Sequence, residues 1–183
     1  TGSSGNQAGS RPNSSLLLAN DSFIYGTTEY GGGNGGGIAF RFSSNASPSY
    51  EILHEFSDRT GSQPSGSLCE RADGAVYGST SVGGSQGWGV LYKIAPGAAY
   101  SVIAEFTNEN GLIPGASPSS GLIVTSDDRI WGTTSAGGPG QRGLVFTLSN
   151  GALFTKIASF TTALGWHPSG APISDRNGNL IFP

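Results

Sequence analysis

The sequence predicts an all-β fold of the β-propeller type, in which each blade is a sheet of four antiparallel strands. Two observations carry this prediction. A phrase of the form aromatic-Gly-Thr/Ser-Thr occurs three times, at residues 25–28, 77–80 and 131–134. Short segments rich in β-branched and aromatic residues alternate with Gly, Pro, Asn, Asp and Ser, and no window repeats apolar residues at helical spacing. Because apolar residues do not recur at helical spacing, we expect almost no helix. The repeat period of about 50 residues is typical of propeller blades.

Each phrase is followed by the same residue types at nearly constant distances. A glycine pair comes first, then a single glycine, an aromatic residue and a phenylalanine that closes the unit. The closing residues are Phe56, Phe106 and Phe160. A Gly-x-x-Pro connection follows each of them, and we place these connections at residues 61–64, 111–114 and 165–168. With this placement, the stretch between Pro114 and the next repeated phrase is four residues longer than the corresponding stretch after Pro64.

Four strands are expected in each unit. The first strands are predicted at residues 15–18, 67–70 and 121–125, and the second strands contain the repeated phrase. The third strands are predicted at residues 37–42, 89–94 and 143–148, and the fourth at 50–56, 100–106 and 154–160. All of these segments are bounded by turn-forming residues.

The turns between the strands have their own sequence signals. An aspartate lies four residues before each repeated aromatic, at Asp21, Asp73 and Asp127. The pairs Asp73-Gly74 and Asn177-Gly178 favour type I′ hairpins, which need positive φ at both central residues. The glycine pairs are expected to turn the second strand into the third, because positive φ costs glycine little.

The units form a single tandem-repeat domain, with approximate unit bounds of 9–60, 61–110, 111–164 and a partial 165–183. This gives about three and a half blades, whereas propellers close with about 4–8 blades. We therefore expect the ring to be incomplete in a single chain, and to need further repeats or self-association to close. The chain contains no methionine, which suggests a processed or excised piece. A β-solenoid is the alternative fold, although its coils are usually shorter and lack repeated hairpin turns.

The combined pattern of Tyr-Gly-Thr-Thr, Gly-Gly, Gly-(apolar)-x-Phe, closing Phe and Gly-x-x-Pro resembles the Gloeo-Verruco tandem repeat of secreted bacterial proteins. The resemblance covers nearly the whole chain. It implies a β-propeller in an exported, extracellular protein with several repeats, and it implies no defined catalytic residues. The chain is also broadly similar to kelch-type blades, in architecture only, because its paired glycines follow the threonine of the second strand.

Composition excludes several classes of partner. The net charge is −3 and only 11% of residues are charged, which argues against a basic nucleic-acid-binding surface. No apolar stretch approaches the roughly 18 residues of a membrane span, so we expect no membrane insertion. The single cysteine, Cys69, allows no intrachain disulfide and is interpreted as a small buried hydrophobe.

Residue types that support catalysis or metal binding are few. His54 and His167 lack ligand spacing with any other His, Cys or Asp, so neither a metal nor another cofactor is expected. Glu55 and Glu105 occupy equivalent positions before their closing phenylalanines. A glycosidase needs two carboxylates about 5–9.5 Å apart, and we expect these two instead to be solvated or hydrogen-bonded strand residues.

Aromatic residues outside the repeat pattern are the better candidates for a binding site. They lie in expected loops, where binding residues concentrate. We predict binding roles for Tyr30, Trp88, Trp166 and His167. The preferred hypothesis is a non-enzymatic extracellular module that binds or scaffolds a glycan or protein partner. The alternatives are a self-assembling structural protein and a carbohydrate-active enzyme that uses Glu55 and Glu105 in a propeller channel.

Overall fold

The computed structural model describes residues 9–43, 49–109, 111–149, 153–162, 165, 167–168, 170–175 and 180–181. In these ranges the regular structure is β, apart from one 3-10 turn at Pro139–Gln141. The strands of the first unit are β1 (Gly9–Ser10), β2 (Leu17–Leu18), β3 (Phe23–Thr28), β4 (Tyr30–Gly31), β5 (Ile38–Ser43) and β6 (Tyr50–Glu55). Those of the second are β7 (Ser62–Glu70), β8 (Val76–Val82), β9 (Val90–Ile94) and β10 (Tyr100–Glu105). The rest are β11 (Ile123–Val124), β12 (Ile130–Thr134), β13 (Leu144–Leu148), β14 (Phe154–Ser159), β15 (Ile173–Ser174) and β16 (Leu180–Ile181).

The strands form three antiparallel four-stranded sheets in the orders β2-β3-β5-β6, β7-β8-β9-β10 and β11-β12-β13-β14. Two small sheets, β1-β4 and β15-β16, accompany them. The sheets form an open array. This confirms the predicted all-β fold with four-stranded units. The first strands are shorter than predicted in units one and three and longer in unit two.

The core lies between successive sheets, because each sheet presents apolar residues on both faces. One buried cluster joins units one and two and contains Phe56 and Tyr92. A second joins units two and three and contains Phe106 and Phe146. The closing phenylalanines Phe56 and Phe106 are fully buried, and each packs on the aromatic of the third strand of the next unit, with ring centroids 5.1 and 5.6 Å apart.

The repeated phrase is explained by two contacts that recur in every unit. Its glycine lies beneath the aromatic ring of the third strand. A Cβ atom on Gly132 would lie 2.5 Å from the Phe146 ring, so only glycine leaves room. The last threonine of the phrase holds the following loop. Thr80 Oγ1 donates to the Val82 carbonyl at 2.9 Å and accepts from the Val90 amide at 3.2 Å. Thr28 and Thr134 make the equivalent pairs of hydrogen bonds.

The hairpins between the first and second strands are not type I′, and that prediction is wrong for Asp73-Gly74. The Gly74 amide donates to the Arg71 carbonyl at 2.9 Å, and only Gly74 of the turn has positive φ, at 74°. This is a three-residue loop that ends in the left-handed conformation. Units one and three use the same turn, with Ser22 (φ 66°) and Asp128 (φ 60°) at the left-handed position. The predicted Asn177-Gly178 hairpin lies outside the described residues.

The third connection is at residues 115–118, four residues later than predicted. The ring of Pro118 covers Gly89, just as Pro64 covers Gly37. The residue before each of these prolines has positive φ, at 57° for Gln63 and 49° for Ser117. The extra four residues therefore lie between Phe106 and Gly115, not after Pro114.

Candidate functional site: a serine-lined pocket at the inner edge of the sheets

The Gly-x-x-Pro connections place one loop from each unit beside the loop of the unit before it. The backbone amides of Gln63, Ser117 and His167 donate to the carbonyls of Gly36, Trp88 and Arg142, at 2.8, 3.0 and 3.2 Å. Each donor has positive φ, as does Arg11 at the equivalent place in unit one. The connections and the loops between the second and third strands therefore share one end of the molecule.

A cavity of about 480 Å³ opens where the chain leaves these connections and enters the first strand of each unit. Segments from successive units converge on it, because each follows its own connection proline. Its walls comprise residues 13–15, 65–67, Ser119, Gly121 and Ala171, with Glu29, Gln63 and Ser81 from the adjoining loops. The described wall residues carry hydroxyl, amide and carboxylate groups and no large apolar side chain.

Hydrogen bonds between the units fix the shape of the pocket. Ser65 Oγ donates to the Pro118 carbonyl at 2.7 Å, and the Leu122 amide donates to the Ser67 carbonyl at 3.1 Å. Gly66 has φ of 75°, and a Cβ atom there would lie 2.3 Å from the Ser120 carbonyl oxygen. Glycine is therefore required for the close approach of the two inner segments.

Glu29 is the charged residue among the described residues that line the cavity. Its carboxylate lies 3.8 Å from the guanidinium of Arg11. The same guanidinium lies 5.4 Å from the ring centroid of Tyr30. Arg11 thus connects the predicted residue Tyr30 to the edge of the pocket.

The predicted binding residues lie at the same end as the pocket, but those that are described do not line it. Tyr30 is half-buried on β4, next to Glu29. The Trp88 side chain is 42% exposed on the loop that leads to β9. His167 is exposed in the fourth connection, with Nδ1 2.7 Å from the Ser135 carbonyl oxygen. Trp166 lies outside the described residues.

The pocket residues themselves were missed by sequence reasoning. A signal was present, because each of the first three connection prolines is followed by three polar or small residues and then a leucine. These runs are 12–16, 64–68 and 118–122. The leucine packs between sheets in units two and three. The residues between the proline and the leucine lie at the inner edge and line the pocket, apart from Ser120, which is buried against Thr133.

Glu55 and Glu105, which occupy equivalent positions, each accept hydrogen bonds from a loop of their own unit. The Glu55 carboxylate accepts from the Gly33 amide at 3.0 Å. The Glu105 carboxylate accepts from the amide of Ser85 at 2.8 Å and from its hydroxyl. Each glutamate therefore holds the loop between the second and third strands, as the hydrogen-bonded interpretation predicts.

Cys69 is buried, as predicted, and burial raises the pKa of its thiol to about 12. A thiol with this pKa is almost entirely protonated at neutral pH and is a poor nucleophile. Among the described residues, no three His, Cys, Asp or Glu side chains are grouped so that they could hold a metal ion. The described part of the chain also contains no helix with the length and hydropathy needed to span a membrane.

Comparisons with known proteins agree with this architecture. The Gloeobacter/Verrucomicrobia repeat matches residues 11–182, and no curated protein matches the chain. A solved structure of a streptogramin B lyase superposes with a TM-score of 0.56 at 17% identity, over 91% of this chain and 46% of that one. A protein assigned as a gluconolactonase gives a TM-score of 0.53 at 18% identity, over 91% of this chain and 53% of the other.

The chain therefore spans about half the length of these two structures. Both are propeller-like, so they confirm the predicted fold class, with an array of blades that is open rather than closed. At such low identity the likeness concerns the fold alone.

Proposed function

The chain belongs to the Gloeobacter/Verrucomicrobia repeat family, and from this premise we propose that it is an extracellular, non-enzymatic module that binds a hydroxyl-rich ligand, such as the end of a glycan. The ligand would enter the serine-lined pocket at the inner edge of the sheets. The observation that carries the proposal is the chemistry of the pocket walls, which combine several hydroxyl groups with one carboxylate.

The size and polarity of the pocket support this ligand class. Small-molecule sites commonly have volumes of about 300–1,000 Å³, and the cavity of about 480 Å³ falls within this range. Serine hydroxyls both donate and accept hydrogen bonds, and so do sugar hydroxyls. Glu29 and Gln63 add a strong acceptor and an amide. The Ser65 and Ser81 hydroxyls already donate to the Pro118 and Gln63 carbonyls and can serve a ligand as acceptors. An apolar ligand would leave the wall groups that lack a partner within the protein unpaired, at a cost of about 1–3 kcal/mol each.

Aromatic residues near the pocket could extend the contact to a longer ligand. Trp88 is partly exposed at the same end of the molecule, and its backbone carbonyl is fixed by the Ser117 amide. An exposed indole ring offers an apolar face on which a sugar ring can stack. This gives Trp88 a secondary role, in which it adds affinity for oligosaccharides but not for monosaccharides.

The test is a binding measurement that uses a panel of mono- and oligosaccharides, followed by titration calorimetry on the positives. Ser15 lines the pocket and is exposed, so Ser15→Tyr would fill the cavity without disturbing the core. We expect at least a tenfold loss of affinity. Ser101→Tyr is the matched control, because Ser101 is exposed on the outer strand β10. No binding across the panel, or equal binding by the Ser15→Tyr variant, would contradict the proposal.

The extracellular location has its own test. The chain is poor in charge and rich in small polar residues, which suits a secreted surface, and the repeat resembles that of secreted proteins. Fractionation of the source cells with an antibody against this chain should place it in the medium or on the cell surface. Recovery in the cytosol would contradict the location without bearing on the binding proposal.

A further inference from the structure

Four residues that precede the connection prolines share one unusual backbone conformation. We call them the rim residues: Arg11, Gln63, Ser117 and His167. Their φ values are 56°, 57°, 49° and 54°, in that order. Positive φ is unfavourable for a residue with a Cβ atom, and a following proline further restricts the residue before it to extended conformations. Each unit therefore holds the same strained conformation at this position.

Glycine would relieve this strain, yet none of the four positions carries it. The chain contains 31 glycines, and most of the described residues with positive φ are glycines. Gly37 and Gly89, which the rings of Pro64 and Pro118 cover, are two of them. In each unit a side chain is thus retained before the proline, although the backbone there favours glycine.

Packing within the protein does not account for the rim side chains. Pro64, Pro118 and Pro168 are buried, whereas the residue before each of them is half-buried or exposed. The Arg11 side chain is 69% exposed, and its guanidinium lies 3.8 Å from the Glu29 carboxylate. An exposed ion pair of this kind contributes little to stability. Strained residues that the core does not require are typical of functional sites.

The rim residues lie next to the pocket walls. Gln63 itself lines the cavity. The wall residues Asn13, Ser65 and Ser119 each follow a rim residue by two positions in the sequence. The strained conformation therefore occurs where the chain turns from each connection into the wall of the pocket.

Hydrogen bonds that recur from unit to unit fix the backbone of the rim residues, whereas their side chains differ. The carbonyl groups of Arg11 and Ser117 each accept from the backbone amide of the residue eighteen positions later, at 3.1 Å. The Gln63 carbonyl accepts from the hydroxyl of the residue at the same separation, Ser81, also at 3.1 Å. A rigid scaffold that presents different side chains at equivalent loop positions is suited to selective binding.

We propose that the rim residues determine which ligand the pocket accepts. This inference rests on the proposed binding of a hydroxyl-rich ligand. Each of the four side chains carries at least one hydrogen-bond donor, which suits the oxygen-rich surface of a saccharide. Gln63 contacts the part of the ligand inside the cavity, and the other rim residues select the groups that surround it. The strain persists because glycine would remove these contacts.

The first test exchanges two rim side chains while the backbone conformation stays the same. The double variant Gln63→Ser, Ser117→Gln places each residue type at a positive φ that it already adopts in this chain. We expect a melting temperature within about 2 °C of the wild type. Across the saccharide panel, the order of affinities should change, and the best wild-type ligand should lose at least about fivefold in affinity, the equivalent of one hydrogen bond. The same order with the same affinities would overturn the inference, although binding by the wild type would still support the proposed function.

Replacement by glycine separates ligand contact from a structural role. Gln63→Gly relieves the strain, so it should raise the melting temperature by about 2 °C and weaken binding of the same saccharide at least about fivefold. Ser22→Gly is the matched control, because Ser22 has φ of 66° in the hairpin turn at the opposite end of β3. It should raise the melting temperature similarly and leave binding unchanged.

Two outcomes of the glycine test count against the inference in different ways. A lower melting temperature in Gln63→Gly would show that the side chain is retained for packing, and it would overturn the inference whether or not the wild type binds a saccharide. A wild-type chain that binds nothing in the panel would contradict the proposed function and this inference together.

Discussion

The imidazole ring of His54 lies flat on the phenol ring of Tyr100, with ring centroids 3.5 Å apart and planes 2° from parallel. The pair joins the outer strand of unit one to that of unit two. His54 Nε2 lies 3.1 Å from Thr60 Oγ1, and the Tyr100 hydroxyl donates to the Thr60 carbonyl. A histidine that no other unit has at this position thus takes part in the packing between sheets.

This contact predicts a loss of stability in mild acid. Burial lowers the pKa of His54, and the nearby Glu55 carboxylate raises it to a smaller extent. Because the folded-state pKa lies below the ordinary histidine value of about 6.5, the unfolded chain takes up the proton first. The free energy of unfolding should therefore fall as the pH drops below about 6.5, until the folded-state pKa is reached.

Urea unfolding at pH 7 and pH 5 measures this effect. His54→Phe keeps an aromatic ring against Tyr100 but cannot titrate, so its stability should change less between the two pH values. An equal loss in the wild type and in His54→Phe would contradict the assignment. The Ala72 amide and the Arg71 guanidinium lower the pKa of Asp128. Protonation of Asp128 therefore reduces the free energy of unfolding only below about pH 4.

Thr80 provides the second prediction. Its side chain is fully buried and bridges the Val82 carbonyl and the Val90 amide. Thr80→Val keeps the shape but leaves both backbone groups unsatisfied, so we expect a loss of about 2–4 kcal/mol in the free energy of unfolding. Thr155→Val is the matched control on the exposed strand β14 and should change stability by less than about 0.5 kcal/mol. Similar losses in the two variants would refute the loop-holding role.

The repeated phrase could be predicted from the sequence because its contacts are local. The threonine bonds to groups two and ten residues away, and the glycine meets the aromatic of the neighbouring strand. A fixed spacing in the sequence therefore corresponds to a fixed contact in the sheet. The four-strand units were predicted for the same reason.

The third connection was misplaced because residues 111–114 and 115–118 both have the form Gly-x-x-Pro. The correct choice depends on which proline reaches Gly89, which is a contact between units. The pocket was missed for a similar reason. Residues 13–15, 65–67, Ser119 and Gly121 have ordinary loop composition, and only the packing of successive sheets brings them to one cavity.

The left-handed turn position gives the third prediction. Ser22 has φ of 66° where unit two has Gly74, and this conformation is unfavourable for residues with a Cβ atom. Ser22→Gly should therefore raise the free energy of unfolding by about 0.5–1 kcal/mol. The gain is the relieved backbone strain, less the cost of the greater conformational freedom that glycine has in the unfolded chain. Thermal unfolding followed by circular dichroism would detect the change.

Gly74→Ala is the reciprocal control for this turn. A Cβ atom on Gly74 would have its nearest neighbour, Pro96 Cγ, at an ordinary contact distance of 3.5 Å. The cost is therefore conformational and should be about 1 kcal/mol of destabilisation. If Ser22→Gly and Gly74→Ala changed the free energy of unfolding in the same direction, the left-handed turn conformation would not be what determines stability at this position.

Glu105 gives the final prediction, which separates a structural role from a catalytic one. Its carboxylate accepts from the amide and the hydroxyl of Ser85, so Glu105→Gln should weaken the loop between the second and third strands. We expect a loss of about 1 kcal/mol or less, together with faster hydrogen exchange at the Ser85 amide. Because Glu55 holds its own loop in the same way, Glu55→Gln should speed exchange at Gly33 and leave Ser85 unchanged. A different outcome would favour the carbohydrate-active alternative. In that outcome the wild type hydrolyses a polysaccharide, both variants lose this activity, and hydrogen exchange at the two loop amides is unchanged.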